Sequence, residues 1–280
     1  MSATNPQNEV ATMTSAIGTS STDRPLLGHT VVGSGSDVVL VLHEWLGDHS
    51  NYDTMLPALD RTAFTYVFAD VRGYGLSRDL AGAYTVEEAA GDAARLMERL
   101  GHRRFHAVGH SMSGMVVQYL AAERPDAVRS LVAIAPVPAC GFRTDAEGMA
   151  RLRRVVEDDE ALAAAIRART AERYGEAWVA WKAGLARRAS RREAMAGYLA
   201  MFTGTDFADR VRGLPVPVLA VAGWNDIAVY RPDSVRAAFA PLYPHASFET
   251  IADAGHYPML ETPPLLVSLV EGFLKRQPAG

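Results

Sequence analysis

Six short runs rich in apolar, β-branched and aromatic residues recur along this chain, with helix-forming stretches between them. They are residues 38–42 (VVLVL), 65–69 (TYVFA), 105–108 (FHAV), 131–135 (LVAIA), 218–222 (VLAVA) and 247–251 (SFETI). The first is apolar throughout, as a strand covered on both faces must be. Strands that alternate with helices in this way predict an α/β protein, with a mostly parallel central sheet flanked by helices. Residues 29–32 (HTVV) are a candidate edge strand.

Between the runs, local signals mark helices. Thr85 and Glu88 have capping-box spacing, which opens a helix running to Leu100 with Gly101 at its left-handed end. Residues 112–123 continue directly from the third run as a helix, and Pro263 and Pro264 suit the first turn of a last one ending near Lys275. From 140 to 206 no strand-like run occurs. That stretch holds helix formers instead: EDDEALAAAIRARTAERYG, EAWVAWKAGLARR and REAMAGYLAMF. It is too long for an ordinary loop and is expected to form a helical cap over one end of the sheet. The expected organisation is a flexible polar tail over 1–25, a core domain over 26–139 and 207–280, and a cap over 140–206.

Composition narrows the function classes. The 280 residues carry a formal net charge of −4, with both signs mixed along the chain. Nucleic acid asks for a basic face, so it is not an expected partner. The charge cluster at 151–160 has both signs and reads as a solvated helix face. With Cys140 as the single cysteine, no internal disulfide can form. No apolar run approaches the roughly 20 residues of a membrane helix. The first 25 residues lack the basic start and apolar block of a secretory signal. A cytoplasmic protein acting on a small molecule is expected, and a homodimer is left open. No cofactor or metal is expected. His43-Glu44 does not continue as H-E-x-x-H, and Gly33-Ser34-Gly35-Ser36 lacks the Lys-Ser/Thr of a phosphate loop.

The chemistry centres on Ser111. The run 105–108 passes into Gly109-His110-Ser111-Met112-Ser113-Gly114 and then into a helix. A sharp strand-to-helix turn lifts one hydroxyl above the sheet, where a base can reach it. Ser113 stands where G-x-S-x-G has its second Gly. A serine nucleophile needs a base held by a third group. His256 follows the last strand by a short loop, at the sheet edge that also carries Ser111. Asp226 follows the run 218–222 and precedes His256, in the order Ser, Asp, His. Asp253 is read as stabilising its own turn and Asp233 as capping the next helix. His110 is read as a packed structural residue, His43 as ordering a loop, and Asp70 with Arg72 as a structural pair.

Taken together, five stretches resemble the α/β-hydrolase superfamily, in its capped esterase, lactonase and C–C hydrolase branch. They are Leu42-His43-Glu44-Trp45-Leu46-Gly47, Asp70-Val71-Arg72-Gly73-Tyr74-Gly75-Leu76-Ser77, Gly109 to Gly114, Gly223 to Asp226, and Gly255-His256-Tyr257-Pro258. The resemblance covers nearly the whole chain from about residue 25. A serine nucleophile resembles the esterases, and not the related dehalogenases and epoxide hydrolases that attack through a carboxylate. The residue after the nucleophile, Met112, is one expected oxyanion-hole donor. The resemblance implies Trp45 as the second.

Glu44 departs from the family, whose members usually have Gly there. It is either a bystander or a group that reaches substrate, water or His256. Met149, Trp178, Trp181, Tyr198, Met201 and Phe202 give the insertion an aromatic, Met-rich character. Most of these should pack the cap on the core. Trp178, Trp181, Tyr198 and Met201, with Glu44, are the candidates for lining an apolar substrate pocket. The expected activity is hydrolysis of a carboxylic ester or lactone of a moderately apolar small molecule. The alternatives are a C–C hydrolase, a cofactor-free oxygenase or perhydrolase, and a ligand-binding protein with slow turnover.

Overall fold

The computed structural model describes residues 25–278, so nearly all of the expected polar tail lies outside the described residues. Seven strands form one sheet: β1 (His29–Gly33), β2 (Asp37–Leu42), β3 (Phe64–Ala69), β4 (Phe105–His110), β5 (Val128–Ile134), β6 (Val218–Gly223) and β7 (Ser247–Ile251). Their order is β1-β3-β2-β4-β5-β6-β7. Only β1 runs antiparallel, on β3 at the sheet edge, and every other pairing is parallel. The residues of β3, β4 and β6 are buried throughout, which explains why they read as strands in the sequence.

The helices are α1 (Val86–Arg99), α2 (Met112–Glu123), α3 (Ala146–Glu157), α4 (Asp159–Arg169), α5 (Glu176–Ala189), α6 (Arg192–Gly204), α7 (Ala208–Val211), α8 (Pro232–Phe239), α9 (Pro258–Glu261) and α10 (Pro263–Leu274). Among the described residues none is long and apolar enough to cross a membrane.

Local details differ from the sequence-based expectations in instructive ways. At the start of α1 the Glu88 amide donates to Thr85 Oγ1 at 3.2 Å, but the Glu88 carboxylate reaches back to the Tyr84 amide, one residue further than the box predicts. Asp233 lies in the first turn of α8, whose cap position is Arg231. Asp70 and Arg72 do not pair with each other. Asp70 accepts from the His49 ring and from the His49 and Leu76 amides, whereas Arg72 pairs with Asp92 on α1. Helix α3 falls in the expected helical insertion and includes most of the charge cluster read as a helix face, but it starts ahead of the helix-forming stretches singled out there.

Helices α3 to α7 lie between β5 and β6, and the bonds that tie the insertion to the carboxyl ends of the strands include three. Trp45 Nε1 donates to Met195 O at 2.9 Å, Lys182 Nζ donates to Leu46 O at 2.5 Å, and the His256 amide donates to Arg169 O at 2.8 Å. The insertion therefore rests on the loops after β2 and β7.

Candidate active site

Ser111 occupies the turn between β4 and α2 with φ 51° and ψ −112°. A residue with a Cβ is strained there by about 1–3 kcal/mol, so its surroundings must hold it. They do so through the backbone. The Ser111 amide donates to Ile134 O at 2.8 Å, and its carbonyl accepts from the Gly114 and Val137 amides at 2.9 Å each. Gly109 is required by close approach, because a Cβ at that position would lie 2.2 Å from Ser113 O.

His256 lies in the loop after β7, and Asp226 in the loop after β6. The imidazole Nδ1 is 2.6 Å from Asp226 Oδ2, and both residues are about 1% exposed. The other carboxylate oxygen of Asp226 accepts from the Ile227 amide at 2.7 Å. His110 Nε2 donates to His256 O at 2.7 Å. Burial, then the neighbouring imidazole, holds His110 down to about 3. It is therefore a neutral strut beneath the His256 loop.

The loop after β2 borders the same pocket as Ser111. His43 bonds through Nδ1 to Glu44 O at 2.7 Å and accepts from the Val71 amide at Nε2. The Trp45 carbonyl accepts from Tyr74 Oη at 3.0 Å, and its ring packs edge-on against Phe202. Neither the Trp45 nor the Met112 amide donates to another group among the described residues. As the first residue of α2, Met112 has no acceptor within the helix. Ser113 bridges the two loops, since its hydroxyl donates to His43 O.

Glu44 is buried and points into this region. It accepts from Lys182 Nζ at 2.8 Å, from Asn51 Nδ2 at 3.1 Å and from the Leu46 amide. Burial alone would raise the Glu44 carboxyl. The Lys182 ammonium, with help from the His110 and His256 rings, instead holds it down to about 2.

A small pocket connects these parts. Its walls are Glu44, Trp45, Leu46, Ser111, Met112, Val137, Arg169, Phe202, Tyr230 and His256. Ser111, His256, Trp45, Met112 and Glu44 are thus brought together. Trp178, Trp181, Tyr198 and Met201 lie outside the cavity wall, which corrects the expectation that they line it. Trp178 stacks on Tyr174, Trp181 is 44% exposed, and Met201 is buried. Tyr198 packs between Tyr74 and Tyr84.

Three residues of this region escaped sequence reasoning. Tyr230 is buried with its ring centroid 4.7 Å from that of His256. Burial pushes its phenol up, while the Arg169 charge pulls the other way. Arg169 and Lys182 enter from α4 and α5. Among the described residues no cluster of three or more His, Cys, Asp or Glu side chains could hold a metal ion. A second, more open cleft is bordered by Arg78, Asp159, Arg187, Ser190, Arg192 and Met195. It carries no base beside a nucleophile, and Arg187 and Arg192 there are spent in ion pairs with Asp159 and Glu157.

A mostly parallel sheet with a strained serine turn after a central strand, and a His–Asp pair at the same edge, defines the α/β hydrolases as a class. The chain matches the α/β hydrolase fold over residues 37–263 and belongs to that family. It is 26% identical to a pimeloyl-[acyl-carrier protein] methyl ester esterase of Aeromonas hydrophila over 86% of this chain and 96% of that one. It is 35% identical to a fluoroacetate dehalogenase of a Burkholderia species, over 39% of this chain and 37% of the relative. The matches at 34–37% identity span only 28–37% of those relatives' lengths. Among solved structures, the enol-lactonase of Burkholderia xenovorans superposes with a TM-score of 0.77 at 24% identity, over 89% of this chain and 96% of that one.

Proposed function

We propose that this α/β hydrolase is a serine esterase or lactonase that acts on a moderately apolar small molecule through an acyl-enzyme on Ser111. One observation carries the reading. Ser111 shares a small cavity with His256, and the far nitrogen of that imidazole is held by a buried carboxylate. The ester chemistry named for the Aeromonas relative, which aligns over most of both chains, agrees with it. Residue 111 is a serine, which disfavours the carboxylate attack of the dehalogenases.

In the reaction, Ser111 Oγ attacks the substrate carbonyl carbon and passes its proton to His256 Nε2. Asp226 accepts the Nδ1 proton's hydrogen bond and stabilises the imidazolium. The free amides of Trp45 and Met112 stabilise the tetrahedral oxyanion. The imidazolium then protonates the leaving alkoxide, and the alcohol departs. His256 next takes a proton from water, which attacks the acyl carbon; the C–O bond to Ser111 breaks as the imidazolium returns the proton to its Oγ, and the acid is released. The test is turnover of a panel of p-nitrophenyl esters and lactones beside Ser111→Ala, with fluorophosphonate labelling. Wild type should turn over and be labelled. The variant should lose at least about 10⁴-fold in kcat with its fold intact. Equal turnover by the variant would overturn the assignment.

A further inference from the structure

The wall of the pocket beside Ser111 includes a cation, Arg169, that makes no ion pair among the described residues. Arg169 ends α4, is 8% exposed, and lines the wall together with Ser111, Tyr230 and His256. Its neighbours in the insertion are paired: Arg167 with Glu176, Arg173 with Glu261, Arg187 with Asp159. Arg169 has no carboxylate partner among the described residues. Its guanidinium makes one bond, from Nη1 to Ala165 O at 3.1 Å, within its own helix. Nε and Nη2 have no acceptor, yet neither is among the side-chain atoms sealed inside the protein without a partner. Glu44 is already engaged by Lys182, and Asp226, hydrogen-bonded to His256 Nδ1, makes no ion pair with Arg169.

A guanidinium held in a pocket wall without a counter-ion is available to a ligand that supplies the missing charge. The planar fork of an arginine matches a carboxylate through two parallel hydrogen bonds. From this we infer that Arg169 is a substrate-binding residue that takes a free carboxylate. The substrate is then an ester or lactone with a second, ionised carboxyl group a few atoms from the scissile carbonyl. The inference rests on the Ser111 reading and adds the substrate class. Lys182 cannot serve the same purpose, because Glu44 already neutralises it.

The experiment compares two p-nitrophenyl esters of equal length, the monoester of glutaric acid and that of glutaric acid monoamide. They are assayed with wild type, Arg169→Met and Arg169→Lys. Wild type should favour the carboxylate ester in kcat/KM by about 10- to 100-fold. Arg169→Met should collapse that ratio, mainly through KM, and Arg169→Lys should restore part of it. A wild type without preference, or an Arg169→Met variant that loses both esters equally, would overturn the inference. The second outcome would mean that Arg169 merely supports the His256 loop. If neither ester turns over and fluorophosphonate leaves Ser111 unlabelled, the acyl-enzyme reading has failed on its own. Calorimetric binding of glutarate against glutaramide then judges the carboxylate site directly, and equal affinities would sink it. Should Arg169→Met not fold, the wild-type ratio and the Arg169→Lys variant decide.

Discussion

Lys182 on α5 donates to Glu44 in the loop after β2 at 2.8 Å, and both residues are at most 1% exposed. The same ammonium bonds Leu46 O and sits 4.8 Å from the centroid of the Tyr257 ring. The insertion is thus joined electrostatically to the loop that presents the Trp45 amide to the cavity. Removing one member of a buried pair leaves the other charge unanswered, at a cost of about 3–5 kcal/mol, whereas removing both costs far less. Glu44→Gln and Lys182→Met should each lower the urea midpoint strongly, and the double variant should recover most of the loss. A double-mutant cycle with no coupling would show that the pair carries no net interaction.

Ser113 converts a departure from the family motif into a strut. Its hydroxyl donates to His43 O, so the turn carrying Met112 and the loop carrying Trp45 are held at a fixed separation. Ser113→Gly would restore the usual motif residue but leave a buried carbonyl short of a donor, at about 1–3 kcal/mol. The two amides would then be less well aimed at the oxyanion. Stopped-flow and steady-state assays should show kcat falling by about 10-fold with KM little changed, because the misplacement is felt mainly in the transition state. An increase in KM alone would argue that Ser113 shapes substrate binding instead.

What was legible in the sequence was what the chain encodes locally. The Ser111 turn was visible because strand, small residues and helix are contiguous. Asp226 and His256 were visible because each follows a strand by a few residues. The cavity wall was not visible, because it is built by contacts across the chain. Lys182 meets Glu44 over 138 positions. A signal for it existed: Val179, Leu185 and Ala186, its neighbours one helical turn away, are all buried, so a lone charge on that face demanded a partner. The aromatic candidates failed for the converse reason. Residue type alone does not say which face of α5 Trp178 and Trp181 occupy, and Trp181 faces outward. Tyr198 and Met201 are large and apolar enough to line a pocket, but large apolar residues also fill cores, and here packing claims them.

Acid should destabilise the fold before it reaches ordinary carboxylates. Burial, aided by Arg129, holds His106 down to about 4, and burial with His256 holds His110 down to about 3. An unfolded chain protonates both below about 6.5, while the native state refuses these protons until pH 4 or 3. Stability therefore falls as pH drops below about 6.5, by on the order of 1.4 kcal/mol per pH unit for each proton. His49 acts in the other direction. Burial alone would lower its pKa, but the Asp70 carboxylate outweighs that and raises it, so its contribution is present below about 6.5 and lost as pH rises through the native value. Urea unfolding at pH 7, 6 and 5 should show a decline toward acid, and His106→Asn should flatten it by about one proton. A flat profile across that range would contradict this account.

The most discriminating single substitution is Asp226→Asn. The amide keeps the size of the carboxylate and can retain the contact with the Ile227 amide through its oxygen. Toward His256 it changes both charge and hydrogen-bonding role. An ionised carboxylate can only accept, so it fixes the proton on Nδ1 and leaves Nε2 free for the role of base proposed for it. An amide nitrogen turned toward the ring would donate, which selects the opposite tautomer, and no negative charge would remain to stabilise the imidazolium. The expected result is a fall in kcat of about 10⁴-fold, with KM changed little and the thermal midpoint within a few degrees of wild type. Fluorophosphonate labelling of Ser111 should slow in proportion, since it uses the same base. A variant that labels and turns over like wild type would show that His256 does not depend on Asp226, and the proton path proposed here would have to be abandoned.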